Sequence, residues 1–439
     1  MNWGQIRARI LMVGGSQLLQ KLVGFLVIAV LTRHLARDEM GEFFLAAAIG
    51  TLIAQATELG TSRHLIRAVS RDHEGALDHL ARVLALRLPL MALAYVLANA
   101  ACLILEPSLS STLLLVSLYI LLQDLTYTCS AFFVGLERYG HRVAVELVGQ
   151  VLLAGLTLLL THREGGLEAI LWAYVGAHAT ALAVMYGLVR AERGPLRLAW
   201  KLDAATAIAR QSLPIFAVTL LDTIHFKADT VMLGLLRPLS DVATYAAAYR
   251  LFEVSRLGIR PVALIFFPIC VTLAARQDWR ELERLFRKLT RMGLVLGAAA
   301  ALAVTLAAGW IVPLVFGSRY QDSVAPVRVL FLTVPTLFTG LLAVALVHTL
   351  HQERLAIRAA LGCIASNVLL NAIAVPLWGP TGCAWVTLVT QTLWTIWLSR
   401  IVLRRLREAP GEARDRSDAA DWSAAEGRTV SLEAGLESP

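Results

Sequence analysis

The stretch VATYAAAYRLFEVSRLGIRPVALIFFPICVTLAA, residues 242–275, decides the fold class of this chain. It is apolar and longer than the roughly 20 residues of helix that cross a bilayer. Its middle nevertheless carries Arg250, Glu253, Arg256 and Arg260. Charged side chains at bilayer depth are costly, and they face a water-filled cavity or a partner rather than lipid. The stretch therefore predicts a membrane helix that lines a polar interior.

Further apolar stretches of similar length fill most of the 439 residues. Only 16% of the residues are charged, whereas a soluble domain is about a quarter charged. We therefore expect an all-α polytopic membrane protein with about 12 transmembrane helices in two six-helix bundles. The predicted spans are 11–32, 43–60, 83–105, 110–136, 143–161, 167–189, 213–236, 242–275, 292–316, 325–350, 355–377 and 380–403.

The basic residues lie mainly on one side of these spans. If the N-terminus is cytoplasmic, 25 Lys and Arg residues fall in the inner arm and connections, and 6 fall in the outer ones. This asymmetry predicts an N-in, C-in topology by the positive-inside rule. It also accounts for the net charge of +8 without a nucleic-acid partner.

The chain divides into two halves of six spans each. Residues 1–195 would form an N-terminal bundle and residues 196–407 a C-terminal bundle, and two such halves are common in secondary transporters. From Glu408 the composition changes to Ala, Gly, Ser, Asp and Glu with no apolar run, so residues 408–439 are predicted to be a disordered cytoplasmic tail. Residues 278–289 place Trp279 and Phe286 on one stripe of a basic amphipathic helix, expected at the headgroup level.

The four charges of the 242–275 span share about a third of a helical circumference, because each residue turns about 100°. Guanidinium groups bind oxyanions through paired hydrogen bonds, so Arg250, Arg256 and Arg260 suit a diphosphate or another acidic group. Glu253 would moderate their mutual repulsion. Two other arrangements stay open: Arg256 and Arg260 could extend to lipid headgroups, or the set could form an internal salt-bridge network.

The preceding span carries Asp222, His225 and Asp229 on one stripe. Carboxylates and a histidine on an intramembrane face could bind H⁺ or Na⁺ and couple it to movement. Alternatively, they neutralise the neighbouring arginines. Of the two aspartates, Asp222 is expected to be the better ion candidate, because Asp229 lies nearer the outer end of the span. Lys21 adds a cation near the middle of the first span.

Two further charges lie in the third and fourth spans. Arg87 is close enough to the end of its span to reach the headgroups. Asp124 is expected at a contact between helices.

Motifs of enzymes are absent from the sequence. None of the four lysines follows a glycine, so there is no Walker A loop for ATP hydrolysis. The sequence contains no HExxH or GxSxG motif, and the five cysteines show no metal-site spacing. These observations favour a transporter without a cofactor or a metal over an enzyme.

Short motifs along the chain resemble those of the polysaccharide flippases of the MOP exporter superfamily, which include bacterial O-antigen and exopolysaccharide repeat-unit flippases. Their order along the predicted spans is similar to that family. The motifs are Asp38–Phe43, Gly135–Tyr139, Ser212–Pro214, Ala228–Gly234, Tyr245–Arg250 and Gly379–Ala384.

The resemblance implies a central cavity lined mainly by the first, second, seventh and eighth spans. It also implies alternating-access transfer of a polyprenyl-diphosphate-linked oligosaccharide across the bacterial inner membrane. Arg250, Arg256, Arg260 and Lys21 would attract the diphosphate or acidic sugars, while the polyprenyl chain stays in the membrane lipid. A polysaccharide polymerase and a chain-length regulator are further candidate partners.

Three other functions stay open. A cation-coupled multidrug exporter of the same superfamily would favour acidic residues in the first half, where Glu58 and Asp124 are the candidates. A membrane glycan ligase or polymerase would need a long outer loop, which the predicted spans do not leave. A peptidoglycan-precursor flippase is the third, although such flippases commonly have two C-terminal helices beyond the twelve spans predicted here.

Overall fold

The computed structural model describes residues 3–198, 202–350 and 352–412, and within them the protein is helical throughout. Short 3₁₀ turns at Pro107–Leu109 and Ser318–Ser323 join some of the helices. The α-helices are α1 (Trp3–His34), α2 (Arg37–Glu58), α3 (Thr61–Arg71), α4 (Ala76–Leu105), α5 (Ser110–Gly135), α6 (Tyr139–His162), α7 (Leu167–Arg193), α8 (Leu202–Leu236), α9 (Leu239–Ala275), α10 (Trp279–Phe316), α11 (Val324–Phe331), α12 (Val334–Thr349) and α13 (Glu353–Glu412).

Within the described residues, eight helices are long and apolar enough to cross a membrane, or nine if the bent pair α11–α12 counts as one span. The pair bends by 45°. Helix α13 contains two predicted spans, because Gly379 breaks it with a φ of 53° that favours glycine. Helices α8 and α9 are long enough, at 35 and 37 residues, but carry the intramembrane charges noted above. The count of twelve spans and the topology stay predictions.

Two details of the helices differ from the sequence-based expectation. A separate helix, α3, occupies part of the connection 61–82. The basic amphipathic segment is not a separate surface helix, because residues 279–289 form the first turns of α10 and continue directly into its apolar part. The prediction of a disordered tail from residue 408 is wrong for residues 408–412, which continue α13, and the rest of the predicted tail, from 413 onward, lies outside the described residues.

The apolar core distinguishes the two ends of the molecule. At the end that contains the turn between α1 and α2 (the α1–α2 end), one cluster of buried residues draws on both halves of the chain, from Val27 to Ala384. At the opposite end, near the turn between α2 and α3 (the α2–α3 end), one cluster lies in the N-terminal half, joined only by Ile208 of α8, and another lies within the C-terminal half. The halves therefore share a core at the α1–α2 end and diverge toward the other.

Close backbone packing and polar contacts join the halves at the α1–α2 end. A Cβ atom added to Gly41 of α2 would lie 2.0 Å from the carbonyl oxygen of Leu239 in α9. Arg37 donates to Asp322 at 2.9 Å and to Thr244 at 2.6 Å, both in the C-terminal half. Only a glycine at position 41 permits this approach of α2 to α9.

At the α2–α3 end, the start of α8 makes the contact between the halves. Helix α2 ends in a tight corner, where the Glu58 carboxylate accepts from the backbone N–H groups of Gly60 (2.7 Å) and Ser62 (2.8 Å). Gly60 has a φ of 73°, and a Cβ atom there would lie 2.7 Å from the carbonyl oxygen of Ser212. The close approach of Gly60 to Ser212 thus positions α8 against the N-terminal half at this corner.

Arg87 is fully buried, with 0% exposure, so the expectation that it reaches the headgroups is wrong. It pairs with Asp124 and donates to Thr128, both in α5. The expectation that Asp124 lies at a contact between helices is confirmed. Because a buried arginine without its partner is strongly unfavourable, this pair holds α4 against α5.

Candidate functional site

Asp229 lies at the centre of a buried polar cluster in the C-terminal half. Its side chain is 4% exposed. One carboxylate oxygen accepts hydrogen bonds from the hydroxyls of Tyr245 (2.8 Å) and Thr387 (2.6 Å). The other accepts from the Asn371 amide at 2.7 Å. Residues of α8, α9 and both parts of α13 thus meet at one carboxylate.

The cluster contains a buried oxygen without a partner. The Asn371 amide nitrogen also lies 3.0 Å from the Asn367 side-chain oxygen, one helical turn earlier. The Asn371 side-chain oxygen is buried and makes no hydrogen bond. This oxygen is therefore available to accept a hydrogen bond or to coordinate a cation. Carboxylate, amide and hydroxyl oxygens are the ligands of hard cations.

A small pocket opens beside this cluster. It is lined by His225, Asp229, Asn367 and Thr387, with aromatic side chains completing the wall. His225 stands one helical turn from Asp229, so the structure brings these two predicted residues together. Asp222 lies two turns away on an exposed part of α8 and does not line the pocket.

Arg250 lies between the two halves of the chain. Its side chain is 38% exposed, and its guanidinium donates to Glu253 at 3.1 Å, one turn along α9. The same guanidinium carbon lies 5.9 Å from the ring centre of Phe44 in α2, within the range of a cation–π contact. Arg250 thus belongs to the C-terminal half but faces the N-terminal half.

The wall opposite Arg250 is aromatic. Phe43 and Tyr174 have ring centres 5.7 Å apart, and Tyr174 lies 5.0 Å from Tyr119. His178 stacks on Tyr119 at 5.5 Å. Phe43, Tyr119 and Tyr174 are buried in the core that the two halves share, so these rings form packed structure behind Arg250. The guanidinium itself is partly exposed and can bind an anion.

The remaining predicted cations are Lys21, Arg256 and Arg260. Lys21 is exposed on α1, beside Gln20, which donates to Glu146 of α6 at 2.8 Å. The side chains of Arg256 and Arg260 lie outside the described residues.

Comparison of the sequence with known proteins shows which family this chain belongs to. Residues 6–273, more than half of the chain, match the model of the polysaccharide biosynthesis protein family. The chain belongs to this family. The family resemblance expected from the sequence motifs is thereby confirmed.

Three known proteins are similar to this chain. The probable low-salt glycan biosynthesis flippase Agl15 of Haloferax volcanii is 20% identical over 379 residues, which are 85% of this chain and 78% of that protein. A multidrug resistance MATE family transporter of the MOP superfamily, solved inward-facing, has a TM-score of 0.74 at 15% identity and covers 90% of this chain and 96% of its own. The lipid II flippase MurJ, solved in an inward closed conformation, has a TM-score of 0.69 at 11% identity and covers 91% and 90%. At these identities the two structures show a common fold.

The sequence reasoning missed the partners of Asp229. Asn367 and Asn371 stand one turn apart within an apolar span, a spacing that places both on one helical face. Thr387 and Tyr245 gave no signal of their own, because threonine and tyrosine are ordinary residues of membrane helices.

Proposed function

We propose that this protein moves polyprenyl-diphosphate-linked oligosaccharides from the inner to the outer leaflet of a bacterial inner membrane, with both termini in the cytoplasm. The observation that carries the proposal is Arg250, a half-exposed cation between the two halves, in a chain of the polysaccharide biosynthesis family. A similar archaeal protein is described as a glycan biosynthesis flippase. The guanidinium would bind the diphosphate.

The shape of the molecule supports alternating access. The halves share a core at the α1–α2 end and have largely separate cores at the α2–α3 end. With the basic α2–α3 end in the cytoplasm, this state is closed to the outside. Opening the α1–α2 end would release the glycan into the outer leaflet, while the polyprenyl chain remains among the lipids.

The Asp229 cluster supports coupling of this movement to a cation. A single carboxylate with neutral amide and hydroxyl oxygens suits a monovalent ion, because divalent cations generally take several carboxylates or waters. The unpartnered Asn371 oxygen favours Na⁺ over a proton, since a proton would need only the carboxylate. Asp229, Asn367, Asn371 and Thr387 would supply the ligands, with His225 in the adjoining pocket.

Arg250→Ala is expected to reproduce the phenotype of cells that lack the protein. Without the guanidinium, the anionic headgroup loses a charge-assisted partner worth about 1.5–3 kcal/mol, which corresponds to roughly 10- to 150-fold in affinity. Arg250→Lys should restore part of the function, because a lysine keeps the charge but not the paired hydrogen bonds. The measurement is the amount of lipid-linked oligosaccharide in the inner leaflet.

Arg319→Ala provides the control, because Arg319 is exposed at the α1–α2 end, away from Arg250. This variant should behave as the wild type. If cells lacking the protein accumulate no lipid-linked oligosaccharide but become sensitive to cationic drugs, the multidrug exporter, whose fold this chain shares, replaces the flippase.

A further inference from the structure

One face of α10 carries a line of four cations. With about 100° per residue, Arg280, Arg284, Lys288 and Arg291 fall within about 80° of one another around the helix. All four are exposed. At about 1.5 Å per residue, the line extends about 16 Å along the helix axis.

The same face becomes apolar beyond Arg291 and stays on the surface. Val295, Leu302 and Leu306 continue the stripe and are strongly exposed. In a membrane protein, exposed residues of this kind contact acyl chains. The cations therefore begin where the lipid-facing surface of α10 ends, at the level of the headgroups.

Packing on the opposite face fixes this orientation of α10. Leu282 and Phe286 are buried there. Further along, Cβ atoms added to Gly293 and Gly297 would lie 1.9 Å from the Phe338 ring and 2.7 Å from the Pro335 backbone of α12. Because α10 sits this close to α12, the helix cannot rotate its cationic face inward.

The last turns of α13 repeat the pattern beside α10. Leu393 and Trp397 are exposed on one stripe, and Arg400 and Arg404 continue it. Exposed tryptophans are typical of the boundary between acyl chains and headgroups.

A shared carboxylate brings the two helices together at this level. Glu283 of α10 accepts from Arg287 at 2.6 Å and from Arg407 of α13 at 3.1 Å. Helices α10 and α13 are antiparallel at this contact. Arg291 follows Glu283 and Arg400 precedes Arg407 by similar numbers of residues, so Arg291 and Arg400 lie at similar depths relative to the membrane.

Only some of these cations form ion pairs with carboxylates of the described residues. Glu281 pairs with Arg284, and Glu408 pairs with Arg404. Among the described side chains, no ion pair involves Arg280, Lys288, Arg291 or Arg400. These four exposed cations are therefore available to an anion from outside the chain.

We propose that the faces of α10 and α13 at this end bind the phosphate headgroups of anionic phospholipids, such as phosphatidylglycerol, in the bilayer that surrounds the protein. The acyl chains would lie along Val295, Leu302 and Leu393, and long cationic side chains would reach the phosphates above them. This site is separate from Arg250 and from the Asp229 cluster, so it does not rest on the transport proposal.

The test measures the affinity of detergent-solubilised full-length protein for fluorescent phosphatidylglycerol. Each cation near an anionic lipid contributes about fivefold in affinity. Lys288→Gln with Arg291→Gln should therefore weaken binding by about 25-fold. Arg280→Gln with Arg400→Gln, a second pair of exposed positions, should have a similar effect. Fluorescent phosphatidylcholine should bind the wild type more weakly than phosphatidylglycerol.

Arg163→Gln with Arg319→Gln is the matched control, because both arginines are exposed at the α1–α2 end. This pair should bind phosphatidylglycerol as the wild type does. Replacing chloride with inorganic phosphate at matched ionic strength should leave lipid binding unchanged. The proposal is overturned if both glutamine pairs bind as tightly as the wild type, if the control pair weakens equally, or if free phosphate displaces the lipid.

Discussion

Asp229→Asn is expected to weaken cation binding by at least about 30-fold, because truncating one partner of a buried charge pair costs about 2–5 kcal/mol. The carboxylate is the only charged oxygen among the ligands that we propose. The substitution also places an amide opposite the hydroxyls of Tyr245 and Thr387 and the amide of Asn371, all of which donate to Asp229. The new amide nitrogen then faces either the Asn371 amide, which is also a donor, or the two hydroxyls, which would have to turn and accept.

The measurement is the melting temperature of the purified protein in NaCl and in choline chloride at equal ionic strength. A ligand that binds only the folded state raises stability in proportion to the logarithm of its concentration. Wild type should melt at higher temperature in NaCl, and Asp229→Asn should show no difference between the salts.

Asp222→Asn is the matched control on the same helix, since Asp222 lies outside the pocket. It should retain the response to Na⁺. If Asp222→Asn loses the response and Asp229→Asn keeps it, the coupling site lies elsewhere on α8. If the melting temperature of the wild type depends on pH but not on Na⁺, the coupling ion is a proton and not Na⁺.

Gly41→Val is expected to shift the protein toward the state that is open at the α1–α2 end. Its Cβ would lie 2.0 Å from the Leu239 carbonyl oxygen and 2.5 Å from the carbonyl carbon, which are backbone atoms that cannot rotate away. Overpacking of this kind costs about 1–3 kcal/mol, which shifts a two-state equilibrium by roughly 5- to 150-fold. Separating α2 from α9 relieves the clash.

Spin labels at Asp38 and Arg319 report this movement, because both residues are exposed at the α1–α2 end and belong to different halves. Gly41→Val should add a longer distance to the distribution. Gly176→Val is the control, since a Cβ atom there has no neighbour within 4 Å. An unchanged distance in Gly41→Val would show that this contact does not hold the halves together.

The sequence predicted the helical class, because long apolar stretches are visible without a structure, and it drew attention to α8 and α9 through the charges within them. It could not show which partners surround Asp229. Asn371 is 142 residues away in the chain, so the contact depends on how α13 packs on α8. Arg87 was misjudged for the same reason, because its pairing with Asp124 depends on the packing of α4 on α5.

Translocation in proteoliposomes tests the central claim most directly. A labelled polyprenyl-diphosphate-linked oligosaccharide would be placed in one leaflet, and its appearance in the other would be followed with a membrane-impermeant reagent that modifies sugars. Our account predicts transfer well above that of protein-free vesicles, with little transfer by Arg250→Ala and normal transfer by Arg319→Ala. Transfer no faster than in protein-free vesicles, by protein that moves a cationic drug under the same conditions, would contradict it.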